Sequence, residues 1–203
     1  MNTTGKELEV KFYVPDLAAF EKRLVDQGAA LELPRVHEVN LRFDTPTEEL
    51  SRTYRVLRLR QDTQVRVTYK GPGIEQDGAQ QRQELEFSVS DFATAQAVFE
   101  ALGYQVALMY EKFRTTYSLG EVLVVLDEMP YGNFIEIEGP DGESIQKAAR
   151  QLGLEWERRI LGSYVFLFEQ LKQVKGWAFR DLSFANFAGK LFSPNDLGVQ
   201  RAG

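Results

Sequence analysis

Polar and apolar residues alternate with period two over much of this chain. Glu7, Glu9 and Lys11 alternate with Leu8, Val10 and Phe12; Arg58 and Arg60 with Leu57 and Leu59; Arg66, Thr68 and Lys70 with Val65, Val67 and Tyr69. The pattern returns at 84–87, 112–115 and 135–138. With 31–45 and 121–127 added, it predicts about eight strands. Three segments, 16–27, 91–102 and 143–152, read as helices that open near an Asp or Ser cap and close on Gly28, Gly103 or Gly153.

Each predicted helix follows a similar strand. Glu7-Leu8-Glu9, Glu84-Leu85-Glu86 and Glu136-Ile137-Glu138 all lead through an Asp into a helix, a loose internal repeat of strand-then-helix units. Gly71-Pro72-Gly73 and Asp77-Gly78 predict an exposed loop between two strands, and Met129-Pro130-Tyr131-Gly132 a tight connection. Beyond Leu171 the period is lost, and Trp177, Phe179, Phe184, Phe187 and Phe192 sit among polar residues and glycines. The expected division is a domain over 1–171 and a C-terminal appendage over 172–203. Its aromatics suit docking on that domain or on a second copy in a homodimer.

Composition narrows the chemistry. At 203 residues and 43% hydrophobic the chain can bury a real core, which excludes disorder throughout. The absence of cysteine removes disulfides, thiolate metal sites and cysteine nucleophiles. The one histidine, His37, is too few for a multi-histidine zinc site, makes a Ser-His-Asp triad improbable, and reads as a surface or packing residue. Carboxylates, Lys, Arg and hydroxyls remain. The longest aliphatic run, 122–126, is far below the roughly 18 residues that span a bilayer, and no signal-peptide pattern opens the chain, so a cytoplasmic protein is expected. A net charge of −6 speaks against a general nucleic-acid binder.

The placement of charge says more than its sum. Same-sign pairs at i, i+2 stand at Glu7/Glu9, Arg58/Arg60, Arg66/Lys70 (i, i+4 on the same face), Glu84/Glu86, Lys112/Arg114 and Glu136/Glu138. On one strand face such neighbours are only roughly 6 to 7 Å apart. A solvated face ordinarily mixes its charges, so this many like pairs imply that opposite charge normally lies between them. Carboxylate clusters without His or Cys select Mg²⁺, Mn²⁺ or Ca²⁺. Clustered Arg and Lys recognise phosphate oxygens. Together they suit a phosphate chain carried as its metal complex. If the sheet closes, with helices over its apolar face, the charges line a wet lumen.

The series Glu7-x-Glu9-x-Lys11, Leu57-Arg58-Leu59-Arg60, Thr68-Tyr69-Lys70-Gly71-Pro72, Glu84-x-Glu86, Glu111-Lys112-x-Arg114, Val125-Leu126-Asp127-Glu128, Glu136-x-Glu138 and Ser163-Tyr164 resembles the CYTH domain of the triphosphate tunnel metalloenzymes. It is most similar to the class IV adenylyl cyclase branch, over about residues 5–171. The resemblance implies an α+β fold, a closed eight-stranded antiparallel β-tunnel with flanking helices. It also implies a Mg²⁺- or Mn²⁺-dependent enzyme acting on inorganic triphosphate, ATP or another small-molecule triphosphate, as a triphosphatase or an adenylate cyclase. Carried over by position, Lys11, Arg58, Arg60, Lys70, Lys112 and Arg114 contact phosphate, and alternation adds Arg66. Glu7, Glu9, Glu136 and Glu138, with Asp127, Glu84 and Glu86, ligate metal or orient its ligands, and Lys11, Glu9 and Lys70 are the expected catalytic residues. Where the family commonly carries a Tyr before its Asp-Thr-Pro turn, this chain has Arg42. That counts against a close thiamine triphosphatase and adds a candidate phosphate contact. Hydrolysis and cyclisation stay open, and the alternative is a non-catalytic sensor of polyphosphate or nucleotide, against which the intact carboxylates count.

Overall fold

A strand that is charged on one face and apolar on the other is stable only if the apolar face is covered and its edges are paired. The computed structural model, which describes residues 6–203 with side chains from Leu8 onward, meets both needs by closing the sheet into a ring. The strands are β1 (Lys6–Val14), β2 (Ala30–Asp44), β3 (Val56–Gln61), β4 (Val65–Gln76), β5 (Ala79–Val89), β6 (Gln105–Leu119), β7 (Val122–Met129) and β8 (Gly132–Glu138). They run antiparallel in the order β1-β5-β4-β3-β2-β6-β7-β8, and β8 returns to β1 through the pairs Glu9/Glu138 and Lys11/Glu136.

The helices are the outer cover. α1 (Leu17–Asp26) follows β1, a short α2 (Glu49–Arg52) joins β2 to β3, and α3 (Phe92–Ala101) and α4 (Gly142–Gln151) follow β5 and β8. The predicted strand-then-helix repeat is therefore present. The side chains of Asp16, Asp91 and Asp141 cap α1, α3 and α4 by accepting the N–H of Ala19, Thr94 and Ser144. Phe20 and Leu24 of α1, Ile145 of α4 and Leu152 just after it pack on Val10, Phe12, Val124 and Ile137, the outward residues of β1, β7 and β8. Each such fully buried side chain contributes about 1.5–3 kcal/mol. Phe92 and Phe99 of α3 cover Leu41, Phe43, Leu59 and Val67.

Two details differ from the sequence reading. Gly71-Pro72-Gly73 is not loop: β4 runs on to Gln76 with a register shift between Lys70 and Gly73. A bulge tolerates Pro72, which has no N–H for the ladder. The chain reverses only at Asp77-Gly78, both at positive φ, as a two-residue hairpin turn requires. The second difference is α5 (Tyr164–Lys175), capped by Ser163 and ended by Gly176 at φ 66°. It crosses the expected 171/172 boundary. Its opening residues, Tyr164-Val165-Phe166-Leu167-Phe168, are apolar on every side and so show no helical period.

The segment after α5, including α6 (Phe184–Phe187), lies against its own domain. Leu182 donates to Met109 O and accepts from the Glu111 N–H, and Ala202 donates to Tyr13 O. Phe168, Trp177, Phe179 and Phe187 join Tyr131 and Phe134 in one cluster. Leu108 and Tyr110 of β6 and Phe134 of β8 share the inward faces of Lys112 and Glu136, and with Tyr164 they fill the barrel interior beside the charged stretch. Among the described residues no helix is long and apolar enough to cross a membrane.

Candidate functional site

Alternation directs one side of every strand into the ring, and the inward residues enclose a cavity of about 370 Å³. Its described lining carries nine Lys and Arg against seven Asp and Glu, so a net-acidic chain encloses a net-cationic site. The cavity collects Glu9, Lys11, Arg42, Arg58, Arg60, Arg66, Lys70, Glu84, Glu86, Lys112, Arg114, Glu136 and Glu138 from the sequence-derived set. The side chain of Glu7 lies outside the described residues. Asp127 lies behind the lining and is fully buried.

The charges form a chain of alternating sign. Lys11 Nζ is 2.5 Å from Glu9 and 3.0 Å from Glu136, and Arg114 bonds both Glu136 and Asp127. Lys112 lies 3.0 Å from Asp127 and 3.7 Å from Glu38, which is 3.5 Å from Arg60. Arg60 is 3.4 Å from Glu86; Arg58 links Glu86 at 3.7 Å to Glu84 at 3.9 Å; Glu84 ends on Lys70 at 2.9 Å. Apart from Glu9 and Lys11, both on β1, consecutive members come from different strands, so tertiary register builds the rest of the series. Arg66 bonds Asp62 beside it. Arg42 lies opposite Arg58 on the β2–β3 ladder and has no carboxylate partner among the described residues.

Electrostatics follow from this enclosure. Burial alone would lower Lys11, but Glu9 and Glu136 outweigh it and hold the ammonium above its ordinary value. Burial alone would raise Glu136, yet Lys11, Arg114 and Lys112 hold it well below the carboxylate range. Glu38 is held low against burial by Lys112, Arg114, Arg60 and Arg58. For Arg42 and Arg60 burial prevails and lowers the guanidinium, helped by neighbouring arginines, Arg82 and Arg58 beside Arg42 and Arg58 and Arg66 beside Arg60.

Glu9, Glu136 and Glu138 can each present an oxygen, with all three oxygens within 4.8 Å of one another. Such an all-carboxylate set fits a hard divalent cation. Lys11 sits against two of the three, so a cation held there would compete with its ammonium for Glu9 and Glu136. Glu84 and Glu86 stand among the arginines of β3 and β4, outside this cluster. Asp127 accepts from Arg114 on both oxygens and from Lys112 and the Tyr164 hydroxyl, which suits an anchor for cations.

Sequence reasoning did not single out Glu38, Asp62, Arg82 or Tyr110, all in the lining. Glu38 alternates with Val39 and precedes Asn40 and Arg42, so the inward face was legible, but no like-charge neighbour marked it. Arg82 is fixed by the carbonyls of Gly71 and Tyr54, a contact made by the β4 bulge. His37 is half-exposed against Glu111 and Phe113, away from the lining.

A family model described as the CYTH domain matches residues 5–164. No curated protein matches the sequence. Among solved structures, a protein of Pyrococcus horikoshii is 27% identical, covering 80% of this chain and 98% of its own at a TM-score of 0.68. A proposed adenylate cyclase from Vibrio parahaemolyticus is 23% identical over 80% of this chain and 97% of its own, with a TM-score of 0.72. A proposed adenylyl cyclase from Hippeastrum, whose dominant activity is that of a triphosphatase, is 18% identical over 85% and 97%, with a TM-score of 0.63. At these identities the last two establish likeness of fold.

Proposed function

The chain belongs to the CYTH domain family, and on that premise we propose that it is a Mg²⁺- or Mn²⁺-dependent enzyme that hydrolyses the triphosphate of a small molecule inside the charged tunnel. The observation that carries this reading is the interlock of the Glu9/Glu136/Glu138 cluster with the cationic lining through Lys11. A metal on the cluster would free Lys11 from Glu9 and Glu136, and Arg114 from Glu136, to face phosphate. That exchange keeps each charge compensated, whereas either ligand alone leaves buried charge exposed to its own kind.

In this reading Glu9, Glu136 and Glu138 would hold the metal. Arg58, Arg60, Arg66, Lys70, Lys112 and Arg114 grip the phosphate oxygens, Arg by paired bonds and Lys as a point charge. Lys11 moves from the carboxylates to a phosphate oxygen, and Asp127 keeps Lys112 and Arg114 aimed inward. The metal, when bound, neutralises charge developing on the phosphate and activates water. A lining rich in charge favours a substrate that is phosphate along its length, which supports inorganic triphosphate and terminal-phosphate hydrolysis over cyclisation.

Incubation with inorganic triphosphate, ATP or thiamine triphosphate plus Mg²⁺ or Mn²⁺, with phosphate, pyrophosphate and cyclic AMP measured, tests it. Metal-dependent phosphate release is expected. Cyclic AMP and pyrophosphate as main products would overturn hydrolysis, and stabilisation by tripolyphosphate without any turnover would overturn catalysis.

A further inference from the structure

Tyr164, the first residue of α5, stands where the charged tunnel meets the aromatic end of the barrel. Its hydroxyl donates to Asp127 Oδ2 at 2.9 Å, and its ring meets Phe134 edge-on with centroids 5.2 Å apart. Its carbonyl accepts the Tyr131 hydroxyl at 2.8 Å. A side chain held at its tip, edge and backbone has little freedom. Against this ring lie two ammoniums, Lys11 Nζ at 5.5 Å and Lys112 Nζ at 5.3 Å from the centroid. Both lysines are buried, the condition in which an aromatic face attracts a cation most strongly.

Lys11 and Lys112 come from β1 and β6, which share no ladder and are separated in the ring by β7 and β8. Their carboxylate partners draw them in different directions, Lys11 toward Glu9 and Glu136, Lys112 toward Asp127 and Glu38. We infer that Tyr164 is a positioning residue whose ring gathers these two ammoniums and sets their spacing for the phosphate chain. The C-terminal segment, through α5, thereby becomes part of the binding site. This rests on the triphosphate reading above.

Two substitutions separate ring from hydroxyl: Tyr164→Phe keeps the ring, and Tyr164→Leu removes it while leaving apolar bulk beside Phe134. In the metal-free protein, NMR should find the ε-methylene protons of Lys11 and Lys112 shifted upfield by the ring in wild type and Tyr164→Phe, and returned to ordinary positions in Tyr164→Leu. With Mn²⁺, KM for inorganic triphosphate should rise about tenfold in Tyr164→Leu and stay within about threefold of wild type in Tyr164→Phe, as loss of two cation–π contacts implies. Circular dichroism checks the fold of each variant, and Tyr164→Met replaces the Leu variant if that fails to fold. Unshifted lysine protons in wild type would overturn the inference. So would an unchanged KM in a folded ring-less variant, or a Phe variant as impaired as the ring-less one. A wild type that neither binds nor turns over any triphosphate would overturn the functional reading instead, and the lysine shifts would still decide the clamp.

Discussion

The ammonium of Lys11 lies 3.0 Å from the carboxylate of Glu136, directly across the β1–β8 seam that closes the barrel. The pair joins the first strand to the last and also the two halves of the proposed chemistry, in which Lys11 would face phosphate and Glu136 the metal. Lys11 stays charged above its ordinary range and Glu136 below its own, so the pair does not neutralise by proton transfer near neutral pH.

Glu9→Gln removes one charge from the metal cluster and keeps the shape of the side chain. Turnover of inorganic triphosphate with Mn²⁺ should fall by about 100-fold or more, because a metal supplies several kcal/mol of transition-state stabilisation. Circular dichroism should be unchanged. A wild-type rate in this variant would remove Glu9 from the metal site.

Arg60 stands between Glu38 at 3.5 Å and Glu86 at 3.4 Å, in the middle of the ion chain. A charge-assisted hydrogen bond contributes about 1.5–3 kcal/mol, so Arg60→Ala should raise KM roughly 10- to 100-fold with the smaller effect on kcat. Steady-state kinetics with inorganic triphosphate decide this, and an unaltered KM would place the phosphate elsewhere.

Asp44 ties the end of β2 to α2, accepting the N–H groups of Thr45, Leu50 and Ser51 and the Ser51 hydroxyl. Burial would raise this carboxyl, but the Ser51 and backbone hydrogen bonds hold it below its ordinary value. A depressed folded value contributes stability that is present above the unfolded pKa, about 3.9, and is lost as pH falls through the folded one. Asp44→Asn should therefore lower stability by about 1–3 kcal/mol at pH 7. The gap in Tm between variant and wild type should narrow below about pH 4. An equal gap at pH 7 and pH 3 would show that the charge of Asp44 is not what matters.

Phe187 is buried among the rings of Tyr131, Phe168, Trp177, Phe179 and Phe192. Phe187→Ala should cost about 3–5 kcal/mol, a large part of the 5–15 kcal/mol typical of a folded protein. Denaturant unfolding measures the loss. A variant as stable as wild type would mean that the C-terminal segment is not docked as described.

Local alternation is a property of neighbouring residues, and it made the inward faces of most strands readable, with Arg58/Arg60, Lys112/Arg114 and Glu136/Glu138 marking them by charge. Glu38 escaped notice because its importance comes from Lys112 opposite it on β6 and Arg60 on β3, neither near it in the chain. Tyr164 matched a family motif, yet its contacts with Lys11, Lys112 and Asp127 lie 37 or more residues away and follow from α5, whose apolar run shows no period.

By itself the sequence determined which residues could face a common lumen, because a strand turns alternate side chains to opposite sides whatever its partners. It also limited what the chain can offer a metal, since with no cysteine and one histidine little but carboxylate oxygen remains. The tertiary structure decided the rest: the closure of β8 on β1, the pairing of each carboxylate with cations of other strands, and the aromatic end where Tyr164 meets Lys11 and Lys112. Those are contacts between residues far apart in the chain, set by register and ring closure, which no local pattern of hydrophobicity encodes.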